Sequence, residues 1–228
     1  ELSPFVGGFL VTFVEREGRM LGIDLDRVKE IIAAAGNARL TVAGGIASAA
    51  EIGAIDRLGA DAQVGMALYT GRFDLAGAIS AALTTDRADG LWPTVVCDER
   101  GTALGLAYSS AESLRAAVRQ RRGIYHSRTR GLWIKGESSG AGQDLLRIDA
   151  DCDRDTLRFV VRQHGRGFCH LNTATCWGVE RGLDSLQRTL RNRLTDAPPG
   201  SYSRRLFDEP GLLEKKLIEE ARELCEAD

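Results

Sequence analysis

A chain of 228 residues with 43% hydrophobic and 27% charged content can bury one or two cores. Its formal net charge of −2 gives no electrostatic case for a nucleic-acid partner, and no apolar run reaches the length of a membrane span. The five cysteines, odd in number and irregular in spacing, read as reduced thiols or metal ligands rather than a disulfide framework, which makes the cytoplasm the expected compartment. The opening ELSPFVGGF has neither a Met nor the basic flank of a secretory signal, as expected of a fragment.

Residues 9–89 alternate short apolar runs with amphipathic helices: FLVTFV, LDRVKEIIAAAG, LTVAGG, SAAEIGAIDRLG, AQVGMAL and DLAGAISAAL. That is the pattern of parallel βα units. The polar stretch TTDRADG at 84–90 is the expected linker. Beyond it, PTVVCD and ALGLAYS around ERGT predict a β-hairpin, SAESLRAAVRQR a helix, and further strands are expected near 124, 132, 145 and 157. The remainder is helical at LDSLQRTLRNRL, breaks at DAPPGSYS and resumes at PGLLEKKLIEEARELCEAD, where Pro210 suits a helix start. The expected fold class is multi-domain, with an α/β segment at 1–85, an α+β segment at 91–178 and an all-helical segment at 183–228.

The unusual chemistry lies in the middle segment. RIDADCDRDTLRF places aspartates at 149, 151, 153 and 155 around Cys152, and FCHLNTATCWG adds Cys169, His170 and Cys176. Extended backbone would send the aspartates to one face and Ile148, Ala150 and Cys152 to the other. Cys152, Cys169 and Cys176 can supply the three thiolates of a zinc site whose open fourth position makes a water more acidic; otherwise they are small buried hydrophobes. Asp151, Asp153 and Asp155 would repel one another unless they face water or hold a hard cation such as magnesium. No EF-hand fits, because loops starting at Asp149 or Asp151 lack Gly at the sixth and Glu at the twelfth position.

Residues 91–178 resemble phosphoribosyl-AMP cyclohydrolase, through HSRTRGLWIKGESSG at 126–140, DCDRD at 151–155 and CHLNTATC at 169–176. The resemblance implies zinc on Cys152, Cys169 and Cys176, magnesium on Asp151, Asp153 and Asp155, and a homodimer whose metal sites form between subunits. It also implies the substrate N1-(5-phosphoribosyl)-AMP, whose adenine ring is opened by water between N1 and C6. Alkylation at N1 makes the ring cationic and C6 electrophilic, so an activated water held against C6 can add there. His170, beside a ligand, is a candidate proton shuttle or a hydrogen-bonded support for the metal shell. The substrate carries two phosphates, and Ser127, Arg128, Arg130, Lys135, Ser138 and Ser139 are the candidate donors to them.

Residues 1–85 resemble the C-terminal part of phosphoribosylformimino-aminoimidazole carboxamide ribotide isomerase, a (β/α)₈ barrel, through Thr12 in FLVTFVEREG, AGGI at 43–46 and VGMAL at 64–68. In such barrels glycine loops after the last strands admit a phosphate to backbone N–H groups, which makes Gly44, Gly45 and Gly65 candidates. Phe13 and Glu17 depart from the family's acidic pattern, and about three βα units stand where a barrel needs eight. The segment is therefore expected to be a catalytically silent partial barrel, with Thr12 vestigial. The tail resembles the start of phosphoribosyl-ATP pyrophosphohydrolase through PPGSYSRRLF and KKLIEEARELCEAD. There Glu220 and Glu223 share one helix side, as an incomplete magnesium site.

Two other functions compete with a zinc cyclohydrolase. One is a structural metal-binding module in which His170 closes a Cys₃His site. The other is a fragment whose main activity lies in a flanking isomerase or pyrophosphohydrolase segment. No role is assigned to Cys97 or Cys225.

Overall fold

The computed structural model describes residues 2–178 and 182–226, so the first residue of the βα segment and the last two of the helical segment lie outside it. Three parallel strands, β1 (Gly8–Thr12), β2 (Arg39–Ala43) and β3 (Asp61–Gln63), form a sheet in the order β1-β2-β3. Helices α1 (Leu25–Ala35) and α2 (Ala49–Arg57) make the crossovers that parallel pairing requires. Their starts are written in the sequence. Asp24 accepts from the Arg27 N–H, while Ser48 and Glu51 close a reciprocal capping box on α2. Val28, Leu40, Val42 and Ile55, all at most 2% exposed, form the core between sheet and helices. A short helix α3 (Met66–Tyr69) and then α4 (Leu75–Ala82) follow. A Cβ on Gly53 would stand 2.0 Å from the Ala81 carbonyl oxygen, so α2 approaches α4 more closely than any side chain permits.

The next stretch contains β4 (Trp92–Cys97), β5 (Ala103–Ser109), α5 (Ala111–Gln120), β6 (Ile124–Ser127), β7 (Gly131–Ile134), β8 (Gln143–Ala150) and β9 (Leu157–Gln163). The expected hairpin is present as antiparallel β4 and β5, and β8 and β9 form another. Parallel pairing of β4 with β9 joins them into one sheet, β5-β4-β9-β8, while β6 and β7 stand as a separate ribbon. Strict alternation along β9 sends Leu157, Phe159 and Val161 inward. They meet Val96, Leu104, Leu114, Ile124 and Tyr125, and the same core includes Ala76 of α4.

Residues 1–177 thus form one compact unit. The stretch 84–90, expected as a linker, is an ordered connector: the Thr84 carbonyl accepts from Trp92 Nε1 at 2.8 Å, Thr85 Oγ1 donates to the Leu91 carbonyl at 3.1 Å, and Arg87 grips Asp89 with two hydrogen bonds. Residues 178–228 form a second unit, containing α6 (Leu183–Asp196), α7 (Tyr202–Asp208) and α8 (Pro210–Glu226). Pro210 opens α8 as expected. Leu183, Leu186, Leu190 and Leu194 recur at helical spacing on α6 and are exposed. The whole is a mixed α/β chain of parallel and antiparallel sheets with helices.

Candidate metal centre

The aspartate run does not continue as a strand. β8 ends at Ala150, and the backbone turns at once, because Asp151 Oδ1 accepts from the N–H groups of both Asp155 and Thr156 at 3.1 Å. Such a side-chain-to-backbone bond replaces the next ladder partner. Arg154 takes φ +67° to close the turn. This corrects the one-face expectation for four aspartates. Asp149 stays on the strand, paired to Arg147 and Arg158, and the turn instead gathers Asp151, Asp153 and Asp155, whose carboxylate oxygens all lie within 4.8 Å of one another. Burial raises the Asp151 pKa, but the N–H groups of Thr156 and Asp155 outweigh it and hold that carboxyl below its ordinary value.

The thiols occupy a separate loop after β9. Cys169 N–H donates to the Thr173 carbonyl at 3.1 Å and Phe168 N–H to Ala174 at 3.0 Å, while Cys176 N–H anchors the loop to Leu104 on β5 at 2.8 Å. The Leu171 N–H, 3.5 Å from Cys169 Sγ, and the Thr173 hydroxyl favour the Cys169 thiolate and lower its pKa. Burial raises the pKa of neighbouring Cys176, and the negative charge of Cys169 adds to that. Lys135, only 6% exposed, has its Nζ 5.3 Å from the centre of the Phe168 ring and donates to the Ala141 carbonyl at 3.4 Å, near enough to feel the charge of both thiols. Burial lowers its pKa against the opposing pull of Cys176 and Cys169. A residue expected among the phosphate donors is therefore placed beside the thiols.

Cys152 sits exposed on the acidic turn. Among the described residues, the three aspartates are the only group of three or more possible ligands gathered closely enough for one ion. Cys152, Cys169 and Cys176 are not drawn together to within 4.8 Å of one another, as one ion would need. His170 is exposed, with Nδ1 3.9 Å from Cys169 Sγ. Of the remaining substrate candidates, Arg128 stacks on Tyr108 at 5.0 Å and Arg130 on Trp133 at 5.8 Å. Ser127 Oγ lies 3.3 Å from Thr129 Oγ1, Ser138 is exposed, and Ser139 Oγ accepts from the Ala141 N–H. One neighbouring group was passed over in the sequence: His126 Nδ1 is buried without a hydrogen-bond partner. Its place at the head of HSRTRG is the signal that could have drawn notice.

In the βα segment, Gly44, Gly45 and Gly65 line one small cavity of about 160 Å³ just beyond β2 and β3, together with Glu17. Gly44 is obligatory there, since at φ +92° a Cβ would stand 2.5 Å from the Phe13 carbonyl oxygen. Thr12 ends β1, exposed. Glu220 and Glu223 are exposed on α8, and among the described residues no third ligand joins them.

The acidic turn between β8 and β9 and the thiol pair in the loop after β9 are two sets of donors of the kind that can hold metal ions. Residues 105–178 match the family model of phosphoribosyl-AMP cyclohydrolase, residues 3–74 that of a histidine biosynthesis protein, and residues 183–228 that of phosphoribosyl-ATP pyrophosphohydrolase. The chain is 54% identical over 156 residues to the histidine biosynthesis bifunctional protein his7 of Schizosaccharomyces pombe, an alignment covering 68% of this chain and 37% of that protein. It is 52% identical over 157 residues to the histidine biosynthesis trifunctional protein of Neurospora crassa, covering 69% and 18%. The bifunctional protein HisIE of Xanthomonas campestris is 39% identical over 140 residues, covering 59% and 66%. Three stretches of the chain thus match three histidine-biosynthesis family models in the order its motifs indicate, and the chain spans well under two thirds of the first two relatives.

Proposed function

We propose that the chain is a histidine-biosynthesis enzyme segment whose central part, residues 91–178, performs the phosphoribosyl-AMP cyclohydrolase reaction, with residues 1–85 a partial barrel and 183–228 a partial helical pyrophosphohydrolase-like segment. Water adds to C6 of the adenine ring of N1-(5-phosphoribosyl)-AMP, the N1–C6 bond breaks, and N1 leaves with the proton, giving the formimino-aminoimidazole carboxamide ribotide. The observation that carries this reading is the thiol pair Cys169 and Cys176 lying within the segment that matches the cyclohydrolase family.

The donor chemistry fits two different ions. Thiolates suit zinc, and clustered carboxylates suit magnesium. Cys169 and Cys176 provide two zinc donors, and because Cys152 stands apart from them, the third comes from the Cys152 of a second copy in a homodimer. Asp151, Asp153 and Asp155 hold magnesium. When bound, zinc acidifies the attacking water and magnesium neutralises phosphate charge. Arg128 and Arg130, with Ser127, Ser138 and Ser139, bind the two phosphates of the substrate. Lys135, whose charge acts on both thiols, offsets theirs. His170, exposed at the loop edge, moves the proton between the adding water and N1. The compartment is cytoplasmic.

The test is direct turnover. The full chain, supplied with zinc and magnesium, should open N1-(5-phosphoribosyl)-AMP, and a zinc chelator should stop it. No ring opening by the zinc-loaded, folded dimer would overturn the assignment.

A further inference from the structure

Asp56 stands near the end of α2, 98 residues from Arg154 in the acidic turn, yet the two are joined twice: Arg154 Nη2 donates to Asp56 Oδ1 at 2.8 Å and Nε to Oδ2 at 3.2 Å. The same guanidinium reaches back with Nη1 to the Asp151 carbonyl at 3.3 Å. Thr84 engages the turn's other inner carbonyls, its N–H donating to Arg154 at 2.9 Å and its Oγ1 to Asp153 at 3.2 Å. The carbonyls of residues 151, 153 and 154 therefore all have donors, two of them from Thr84 and one from the Arg154 side chain that Asp56 holds. The three carboxylates remain at the surface.

Three like charges this close drive the turn open, so something stiff has to hold its backbone. α2 is such a mount, capped at its start by Ser48 and Glu51 and pressed on α4 at Gly53. Planar two-pronged pairing fixes direction as well as distance. Asp56 lies within the stretch matched as a histidine biosynthesis protein, and Thr84 lies between that stretch and the cyclohydrolase match.

We infer that the βα segment is a brace for the acidic turn, with Asp56 and Thr84 as positioning residues that hold Asp151, Asp153 and Asp155 in cation-binding geometry. This gives a partial barrel a role in the ring-opening site without chemistry of its own. The cation-binding part rests on the magnesium assignment above; the bracing does not.

The experiment uses the full chain and two readouts. In the metal-free protein, amide exchange at Asp155 and Thr156, which bond Asp151 Oδ1, should quicken about tenfold in Asp56→Asn as the turn opens locally. It should quicken less in Thr84→Val, which loses only the hydroxyl bond. The exchanged pair Asp56→Arg with Arg154→Asp should restore protection, because Asp tolerates the left-handed backbone at 154. Mn²⁺ titration of the same chains should show several-fold weaker binding in the single variants, with zinc content unchanged. Unaltered exchange at both amides in Asp56→Asn and in Thr84→Val overturns the brace. Wild-type protein that takes no Mn²⁺ at the turn, while exchange still responds to the variants, overturns the magnesium assignment and upholds the brace. If Asp56→Asn unfolds α2, Thr84→Val and the exchanged pair decide the matter.

Discussion

Gly105 on β5 leaves space that Phe168 and Cys176 fill: a Cβ built there would stand 2.2 Å from Phe168 Cε1 and 3.1 Å from Cys176 Sγ. The thiol loop is seated against bare backbone. Gly105→Ala should push Phe168 and the loop outward, costing about 1–3 kcal/mol by overpacking. A lowered thermal midpoint together with reduced zinc retention would be the expected result. An unchanged midpoint would show that the loop yields freely.

Zinc content should depend on each of Cys152, Cys169 and Cys176, and Cys→Ala at any of them should abolish ring opening. The separation of Cys152 from the other two adds a sharper expectation. Inactive Cys152→Ala and inactive Cys169→Ala, unfolded together and refolded as mixed dimers, should recover roughly a quarter of wild-type activity, because half the dimers are mixed and each has one intact site. No recovery in dimers shown to be mixed would place all three ligands in one subunit.

Asp153→Asn and Asp155→Asn should keep zinc and lose the stimulation by magnesium, since the two donor sets differ in hardness. Metal analysis and a magnesium titration of turnover check this. Loss of zinc with an intact magnesium response would reverse the two assignments.

Glu51 sets an acid limit on the βα segment. Burial raises its pKa, but the N–H groups of Ala47, Ile23 and Ser48 and the Ser48 hydroxyl outweigh that and hold it below the ordinary 4.5. A carboxyl depressed on folding contributes stability above its unfolded pKa and loses it as pH falls through the folded value. Glu51→Gln should therefore cost about 1–2 kcal/mol at pH 7, with the gap to wild type closing as pH drops below about 4.5. Thermal melts of both chains across pH 3–7 would show it. A gap constant with pH would mean that the charge contributes nothing.

Periodicity made the strands and helices legible. Parallel βα units, the β4–β5 hairpin, α5 and the Pro210 start all follow from local spacing and caps, which act within a few residues. The acidic run was misread as continuing strand because alternation at period two persists through 155, whereas Asp151 diverts the chain with its own side chain. The candidate ligand residues stood out through motifs, yet which of them lie together was not legible from spacing. Asp56 and Arg154, 98 residues apart, carry no mutual signal in one sequence. Ala76 looked like part of a βα helix alone, and only packing reveals that it also belongs to the core around Phe159.

That shared helix changes what counts as a transplantable piece. A graft of the cyclohydrolase-like segment into another polypeptide, cut at the covalent connector before Leu91, would leave behind α4 and its cap, with Ala76 at 1% exposure and Ile79 and Leu83 packed on the same core. The host would receive an unroofed sheet. For the core alone a portable piece has to begin ahead of Leu75, at the Asp74 cap, and it has to reach back to α2 to keep Asp56 on Arg154, so the polar connector is not the seam of the folded molecule.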